Sequence, residues 1–305
     1  MSWLYLAFEP TEQQTYLDLL LSSGLQAEDI QRTPDHNTKV TFGSPRKIAE
    51  TLKEMPNLAW AHSSWAGVEP LLQQPRDNFE LTNTRDVFGP LIAEFVFGYL
   101  LLFEKNILAK YENQQLGKWD GQLPGTLRGK TIGIAGVGSI GSHVAMVAKS
   151  FGMITRGLTR NSTDCRFIDR FYTSANPVGF GTGLDYLVGV LPNTTYTRDL
   201  INGAMLAALN TGAIVINVGR GATLDERALE IELRNDHLRG AVLDVLKTEP
   251  LPTQDPLWQV PNLFITSHTS APSFPAQVIH PFLKNLHLFK QGQPLLYKVS
   301  FKQQY

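Results

Sequence analysis

The sequence has little cysteine and no excess of either charge. Cys165 is the single cysteine among 305 residues, which excludes an internal disulfide and a cysteine-rich metal site. Lys and Arg together number 27 and Asp and Glu 28, so the formal net charge of -1 lacks the positive footprint of a dedicated nucleic-acid-binding protein. We expect a protein of a reducing compartment that binds a small molecule, with no metal and no nucleic acid.

Long hydrophobic runs are also missing. The longest run, residues 95–103, is about half as long as a membrane span. The N-terminus has no basic region and reaches Glu9 and Pro10 too early for a signal peptide. The sequence therefore predicts a cytoplasmic protein with no membrane partner.

Short apolar segments alternate with polar or amphipathic stretches, which predicts an α/β fold. Strand candidates in the first third lie at residues 3–8, 39–42, 58–62 and 79–81. A denser series lies at residues 131–135, 154–158, 186–191, 213–218, 241–245 and 263–266. Helical stretches separate several strands of this second series, as in βαβ units around a buried parallel sheet. The length and the two series predict two domains, each with a parallel sheet.

A glycine-rich segment follows the first strand candidate of the second series. Residues 131–145 read T-I-G-I-A-G-V-G-S-I-G-S-H-V-A, which contains G-x-G-x-x-G directly before an apolar helix. Gly136 would permit a tight turn, Gly138 the approach of a pyrophosphate, and Gly141 close packing of helix on strand. Free N–H groups at the helix start would face the phosphates. The pattern predicts dinucleotide binding.

Two further segments with helical spacing set the domain organisation. Residues 88–113 predict one long helix that bridges two domains or lies at a subunit interface. A helix near the C-terminus is expected to return the chain to the first domain. We therefore predict a substrate-binding, catalytic domain over residues 1–97 and 280–305, a dinucleotide-binding domain over residues 98–279, and a cleft between them.

The segment after the next strand predicts which dinucleotide binds. NAD sites usually have Asp or Glu about 20 residues after the glycines, to hold the ribose 2′-hydroxyl. Thr159 and Arg160 occupy that place here, followed by Asn161 and Ser162. A guanidinium and hydroxyl groups suit a 2′-phosphate, so NADP is the preferred cofactor. NAD is the alternative, in which Arg160 is only a solvated loop residue.

Three later strand candidates are each followed by an ionisable residue. These residues are Arg220 in V-I-N-V-G-R-G, Glu249 in L-D-V-L-K-T-E-P and His268 in F-I-T-S-H-T-S-A. In an open α/β sheet the ligand lies beyond the carboxyl ends of the strands. The three side chains are therefore expected to converge near a bound nicotinamide.

The chain resembles the D-isomer-specific 2-hydroxyacid dehydrogenase family over nearly its whole length. The resemblance is carried by these three motifs, the glycine loop, S-W-A-G-V at residues 64–68 and L-P-N-T at residues 191–194. The length and the NADP preference resemble its glyoxylate/hydroxypyruvate reductase branch. The resemblance implies two Rossmann-like or flavodoxin-like domains and a homodimer with residues 88–113 at its interface. It also implies NAD(P)H-dependent reduction of a small 2-oxo acid to the D-2-hydroxy acid.

The resemblance implies a role for each catalytic residue. Arg220 would bind the carboxylate and carbonyl oxygens of the substrate and stabilise the developing alkoxide. His268 would be the general acid, and Glu249 would hold the other ring nitrogen and favour the protonated imidazole. The predicted cofactor contacts are Gly136, Gly138, Ser139, Ile140, Gly141, Thr159, Arg160, Leu191, Pro192, Thr197, Val218 and Asp244. The predicted substrate contacts are Trp65, Ala66, Gly67, Arg85, Arg220 and His268.

Several positions leave alternatives open. Relatives commonly have proline before the histidine, where this chain has Ser267. Arg85 stands where relatives tend to have a small residue, and it either contacts a carboxylate or phosphate of the ligand or pairs with Asp86. Trp65 either caps a small substrate pocket or is a core aromatic residue.

A second function also stays open, that of a dinucleotide-sensing, corepressor-like binding protein of the same fold. Such proteins can retain the same three ionisable residues. Turnover of 2-oxo acids distinguishes an enzyme from a sensor.

Overall fold

The computed structural model describes residues 2–160 and 163–305, which divide into two compact units. Unit 1 comprises Met1–Phe88 and Ser273–Tyr305, and unit 2 comprises Gly89–Pro272. The sequence patterns placed the domain limits at 97/98 and 279/280. The division at 88/89 and 272/273 falls at the first residue of one helix and just before another.

Unit 1 contains a five-stranded sheet in which every strand pair is parallel. Its strands are β1 (Leu4–Ala7), β2 (Ile30–Gln31), β3 (Val40–Gly43), β4 (Trp60–Ser63) and β5 (Glu80–Asn83). The strand order β2-β1-β3-β4-β5 is that of flavodoxin-like folds. All residues of β1, β3 and β4 are buried, because helices cover both faces of such a sheet.

Unit 2 contains a seven-stranded sheet that is also parallel throughout. Its strands are β6 (Thr131–Ala135), β7 (Ile154–Thr159), β8 (Arg170–Thr173), β9 (Tyr186–Gly189), β10 (Ala213–Asn217), β11 (Leu238–Leu243) and β12 (Leu263–Ile265). The strand order is β12-β11-β10-β9-β6-β7-β8. Successive strands are added on one side of β6 up to β8 and on its other side from β9 onward, so the switch point lies between β6 and β9. This is the Rossmann-like order with one added strand, and ligands bind at such a switch point. Both sheets confirm the predicted α/β class.

Ten α-helices and four short 3-10 helices connect the strands in the described part of the chain. The α-helices are α1 (Pro10–Ser22), α2 (Pro45–Thr51), α3 (Glu69–Leu72), α4 (Phe88–Glu104), α5 (Ile107–Gln115), α6 (Ser139–Ser150), α7 (Pro177–Gly181), α8 (Gly203–Ala207), α9 (Glu226–Arg234) and α10 (Pro275–Lys290). The 3-10 helices are Ala27–Asp29, Leu52–Glu54, Gly221–Thr223 and Pro256–Gln259. Within residues 2–160 and 163–305, every helix is too short or too polar to cross a bilayer.

The C-terminal helix α10 completes the core of unit 1. Its Phe282 is fully buried and stacks on Phe42, with ring centroids 4.4 Å apart, and on Trp60 at 5.3 Å. Removing such a buried ring typically costs about 3–5 kcal/mol of unfolding free energy. The first and last parts of the chain therefore fold as one unit.

The predicted single helix over residues 88–113 is wrong, because the chain breaks between α4 and α5. Asn106 adopts a left-handed backbone conformation, with φ of 50°. Arg239 of β11 donates hydrogen bonds to Glu104 Oε1 (3.1 Å), Asn106 Oδ1 (2.9 Å) and the carbonyl oxygen of Phe103. The guanidinium thus satisfies acceptors at the end of α4 and holds the turn.

Candidate active site

The glycine loop joins β6 to α6 at the switch point of the unit 2 sheet. Gly136 has φ of 103°, and a Cβ there would lie 2.7 Å from the carbonyl oxygen of Val190, which follows β9. A Cβ at Gly141 would lie 2.0 Å from the carbonyl oxygen of Gly136. Both positions therefore require glycine, the first for backbone conformation and close approach, the second for packing of helix on strand.

Gly138 differs from these two glycines because its surroundings are open. A Cβ at Gly138 would meet no described atom within 4 Å. Among the described residues, no side chain caps α6 at this position, so the N–H groups near Ser139 and Ile140 remain accessible at the positive end of the helix. The loop fits a dinucleotide pyrophosphate, which would occupy this open space.

The residue directly after β7 is a cation. Thr159 is the last residue of the strand, and Arg160 beside it is exposed. The next acidic residue in the sequence is Asp164. Asn161 and Ser162, which the sequence analysis also considered, lie outside the described residues. The exposed Arg160 is compatible with a 2′-phosphate, and the position directly after β7 holds no carboxylate for a 2′-hydroxyl.

The loop after β9 contains three of the predicted cofactor contacts. The Thr197 hydroxyl donates to the carbonyl oxygen of Pro192 at 2.6 Å and accepts from the Thr194 N–H at 2.9 Å. Leu191 is buried, and its backbone lies so close to Gly219 that a Cβ there would be 2.6 Å from Leu191 N. Thr197 thus holds the loop in place, whatever else its hydroxyl contacts.

Arg220 lies in the loop after β10, directly beyond the buried residue Val218. The fully buried Asn217 holds this loop from the end of β10. Its Nδ2 donates to the carbonyl oxygen of Arg220 at 3.1 Å, and its Oδ1 accepts from Gly219 N–H at 3.3 Å. Thr223 Oγ1 donates to the same Arg220 carbonyl at 2.7 Å. The backbone that carries the guanidinium is therefore fixed.

His268 lies after β12 in a loop that Asp244 organises. The Asp244 side chain, 1% exposed at the end of β11, accepts hydrogen bonds from Thr266 Oγ1 (2.7 Å), Thr269 N–H (2.7 Å) and Ser270 N–H (3.1 Å). The His268 N–H donates to the Asp244 carbonyl oxygen at 2.7 Å. Asp244 was predicted as a cofactor contact, and its observed contacts are those of a residue that positions the histidine loop.

Glu249 connects the loops that carry Arg220 and His268. Its Oε2 lies 2.9 Å from His268 Nδ1, and its Oε1 accepts the Leu246 N–H at 2.8 Å. A Cβ at Gly221, next to Arg220, would lie 1.9 Å from the carbonyl carbon of Leu246. One chain of contacts therefore runs from the arginine loop through Leu246 and Glu249 to the imidazole, and the carboxylate leaves Nε2 for proton transfer.

In unit 1 the predicted substrate contacts lie after the neighbouring strands β4 and β5. Trp65 is 49% exposed, so its alternative as a core residue is wrong. Asn83 Nδ2 donates to the carbonyl oxygen of Ala66 at 2.6 Å, which fixes the backbone beside Gly67. Arg85 Nε donates to Asn83 Oδ1 at 3.0 Å.

The alternative pairing of Arg85 with Asp86 is not observed. Asp86 Oδ2 accepts a hydrogen bond from the Tyr297 hydroxyl at 2.8 Å. That hydrogen bond is the main cause that raises the pKa of Tyr297 above its usual value, and burial adds to it. Among the described residues, no carboxylate lies within ion-pair distance of Arg85.

Sequence reasoning missed Asn217 and Asn83 as residues that position the site. Each is a buried polar side chain at the last residue of a strand, β10 and β5 respectively. A polar residue that ends an apolar strand was the available signal, because a buried amide must find hydrogen-bond partners in the adjoining loop. In the described part of the chain, no group of three potential metal ligands comes together.

Comparison with known proteins gives the family. The NAD binding domain of the D-isomer specific 2-hydroxyacid dehydrogenase family matches residues 97–270. Glyoxylate/hydroxypyruvate reductase A of Serratia proteamaculans (strain 568) is 30% identical over 252 residues, which cover 80% of each chain.

Two solved structures of this family agree with the whole fold. A family protein from Aeromonas salmonicida subsp. salmonicida A449 has a TM-score of 0.89 and 35% identity, covering 98% of this chain and 99% of that one. A D-isomer specific 2-hydroxyacid dehydrogenase from Xanthobacter autotrophicus Py2, in complex with NADPH and MES, has a TM-score of 0.90 and 27% identity, covering 100% and 99%. The resemblance seen in the motifs is confirmed: the chain belongs to the D-isomer specific 2-hydroxyacid dehydrogenase family and is an NAD(P)-dependent oxidoreductase.

Proposed function

We propose that this protein reduces a small 2-oxo acid of the glyoxylate or hydroxypyruvate kind to the D-2-hydroxy acid, with NADPH as the preferred cofactor. The observation that supports this most is the 2.9 Å contact between His268 Nδ1 and Glu249, linked through Leu246 to the loop of Arg220. The name of the Serratia relative agrees with this substrate class, and the NADPH complex of the Xanthobacter protein agrees with the cofactor.

The chain's own residues would hold the cofactor and supply the proton. Gly136, Gly138 and Gly141 would hold the pyrophosphate, and Arg160 would contact a 2′-phosphate. When bound, the reduced nicotinamide supplies the hydride. His268 would donate a proton from Nε2 to the carbonyl oxygen, while Glu249 keeps the ring oriented and stabilises its charge.

Arg220 would make charge-assisted hydrogen bonds to the substrate. Its planar guanidinium offers paired donors to the carboxylate and carbonyl oxygens, and it would stabilise the negative charge that develops on the carbonyl oxygen. Backbone N–H groups of Ala66 and Gly67 in unit 1 would bind the substrate carboxylate.

The test measures oxidation of NADPH and NADH, followed by absorbance, with glyoxylate, hydroxypyruvate and pyruvate. We expect turnover with NADPH that Arg220→Gln lowers by a factor of about 100 or more, and that the exposed Arg198→Gln control leaves unchanged. Tight NADPH binding without turnover on any acid would overturn the proposal and indicate the dinucleotide-sensing alternative.

A matched pair of variants tests the cofactor preference. Arg160→Ala should lower the ratio of NADPH to NADH affinity about tenfold or more, because a charge-assisted contact to the phosphate is lost. Arg198→Ala is the control. An unchanged ratio in Arg160→Ala would leave the residue a solvated loop arginine and remove the reason for preferring NADP.

We also propose a cytoplasmic homodimer whose interface includes α5 and residues 116–123, a surface we call the α5 face. The large apolar side chains of Tyr111, Trp119 and Leu123 on this face are 60%, 99% and 87% exposed, and a partner subunit would bury them. Light scattering should give twice the chain mass, and Trp119→Glu should shift the protein toward a monomer. A monomeric wild type would contradict this proposal.

A further inference from the structure

We propose that Arg85 binds a second anionic group of the substrate, so that the best substrates are 2-oxo acids with a carboxylate or phosphate beyond the 2-oxo group. This inference rests on the proposed function, because it concerns the substrate of the same site. Its support comes from the position, the charge and the anchoring of Arg85 within unit 1.

The position of Arg85 is that of a ligand-binding residue. It follows the end of β5 by two residues, and the loop with Trp65, Ala66 and Gly67 follows the adjacent parallel strand β4. The carboxyl ends of parallel strands are where open α/β sheets bind ligands. Asn83 joins the two loops, since its Nδ2 donates to Ala66 and its Oδ1 accepts from Arg85.

The charge of Arg85 is uncompensated within the described residues. Asp86, its neighbour in the chain, is turned to the Tyr297 hydroxyl at 2.8 Å. Among the described residues, no carboxylate pairs with the Arg85 guanidinium, so it can attract an external anion.

The anchoring of Arg85 leaves the right atoms available. The side chain is partly buried, and among the described residues it donates only through Nε to Asn83, which is itself 6% exposed. Both terminal nitrogens thus remain for a bidentate contact with a carboxylate or phosphate.

A second anion is the better occupant than the carboxylate that all 2-oxo acids share. Within unit 1, the Ala66 and Gly67 N–H groups are already proposed to bind that carboxylate. An additional fixed cation would leave a monoanionic substrate with an unpaired guanidinium, whereas a dianionic substrate would pair it. Leaving a built polar site unpaired is what produces strong discrimination between substrates.

The experiment compares substrates that differ only in the second anion. Calorimetry on the NADP⁺-loaded protein measures binding of oxaloacetate against 2-oxobutanoate, and of 3-phosphohydroxypyruvate against hydroxypyruvate, because no hydride is available for turnover. The variants are Arg85→Gln, Arg85→Lys and the control Arg46→Gln, whose side chain is 83% exposed on α2. The two pairs distinguish a carboxylate from a phosphate as the second anion.

In at least one pair, we expect wild type and Arg46→Gln to bind the acid with the second anion about tenfold or more tightly than the monoanion. Arg85→Gln should abolish that ratio with little change for the monoanion, and Arg85→Lys should give an intermediate ratio because the charge remains without the fork. A ratio near one in the wild type, a ratio that survives in Arg85→Gln, or equal weakening of both acids would overturn the inference. An Arg85-dependent preference without turnover of any acid by the NADPH complex would support the inference and contradict the proposed function.

Discussion

Unit 1 and unit 2 each contain a histidine at a sheet, in opposite surroundings. His62 of β4 is fully buried beside the rings of Phe42, Trp60 and Phe282, with ring centroids 5.6, 6.0 and 5.7 Å away. Its Nδ1 lies 2.7 Å from Thr82 Oγ1, and its Nε2 has no hydrogen-bond partner among the described residues. The His268 side chain of unit 2 is half exposed and lies 2.9 Å from Glu249.

The comparison teaches that surroundings decide what an imidazole can do. Burial lowers the pKa of His62 to about 3, so this ring stays neutral near pH 7 and cannot exchange protons with a substrate. The His268 ring is half exposed, and Glu249 holds its Nδ1, so its Nε2 is accessible to a ligand. One histidine is a core residue, and the other is suited to acid catalysis.

The largest effect is expected when the imidazole of His268 is removed. His268→Ala should lower kcat about 100- to 10,000-fold, because a positioned proton donor typically contributes that much. The dissociation constant for NADPH should stay within about threefold, measured by fluorescence titration. His280→Ala, at an exposed position of α10, is the control. If His268→Ala lost NADPH binding and kept its turnover per bound enzyme, the assigned role would be contradicted.

A smaller effect comes from the backbone that presents His268. Ser267 and His268 have φ of 56° and 59°, and proline cannot adopt the first of these values. Ser267→Pro, which restores the residue common in relatives, should therefore lower kcat and cost about 1–3 kcal/mol of unfolding free energy.

Ser267→Gly is the matched variant, because glycine accepts this conformation without strain. It should leave the unfolding free energy unchanged or slightly higher, as measured by urea denaturation. Full activity and stability in Ser267→Pro would show that the loop reaches the productive state with a different backbone.

The smallest effect is expected at His62, and it concerns the pH dependence of the unfolding free energy. The unfolded chain takes up a proton near the ordinary histidine pKa of 6.5, whereas the folded chain does so only near 3. The stability from the neutral ring is therefore present above pH 6.5 and is lost as the pH falls toward 3. Between pH 7 and 5 this amounts to about 2 kcal/mol.

His62→Phe removes this dependence, so its unfolding free energy should fall less than that of the wild type over the same pH range. Urea denaturation at pH 7, 6 and 5 gives the difference, in which the contributions of other titrating groups cancel. Parallel curves for the two proteins would contradict the burial argument for His62.

The sequence predicted the interior strands well because both faces of each are buried. β6 and β10 consist almost entirely of apolar, buried residues, which leave little choice of structure. β2 and β8 were not predicted, since they are edge strands of two and four residues with polar or exposed positions. The break after α4 was also out of reach, because the residue that holds it, Arg239, is distant in sequence.

The site could be predicted to the extent that it consists of charged side chains after apolar strands. Arg220, Glu249 and His268 each carry such a signal in their own segment. The residues that hold the loops carry a weaker one, because Asn217, Asp244 and Asn83 act on backbone groups that only the folded chain brings within reach. Which N–H or carbonyl a buried amide will meet depends on loop geometry, and composition does not encode it.

Gly221 has a consequence for how such an enzyme changes its specificity. A side chain at this position would collide with Leu246, whose N–H donates a hydrogen bond to Glu249. The position of the Arg220 loop therefore depends on that of the segment that holds Glu249 and His268. Adjusting one of them for a new substrate would disturb the other as well. We expect evolution and laboratory selection to find tolerated substitutions in the loops of unit 1, at Trp65 and Arg85. The mutually dependent loops of unit 2 should stay unchanged.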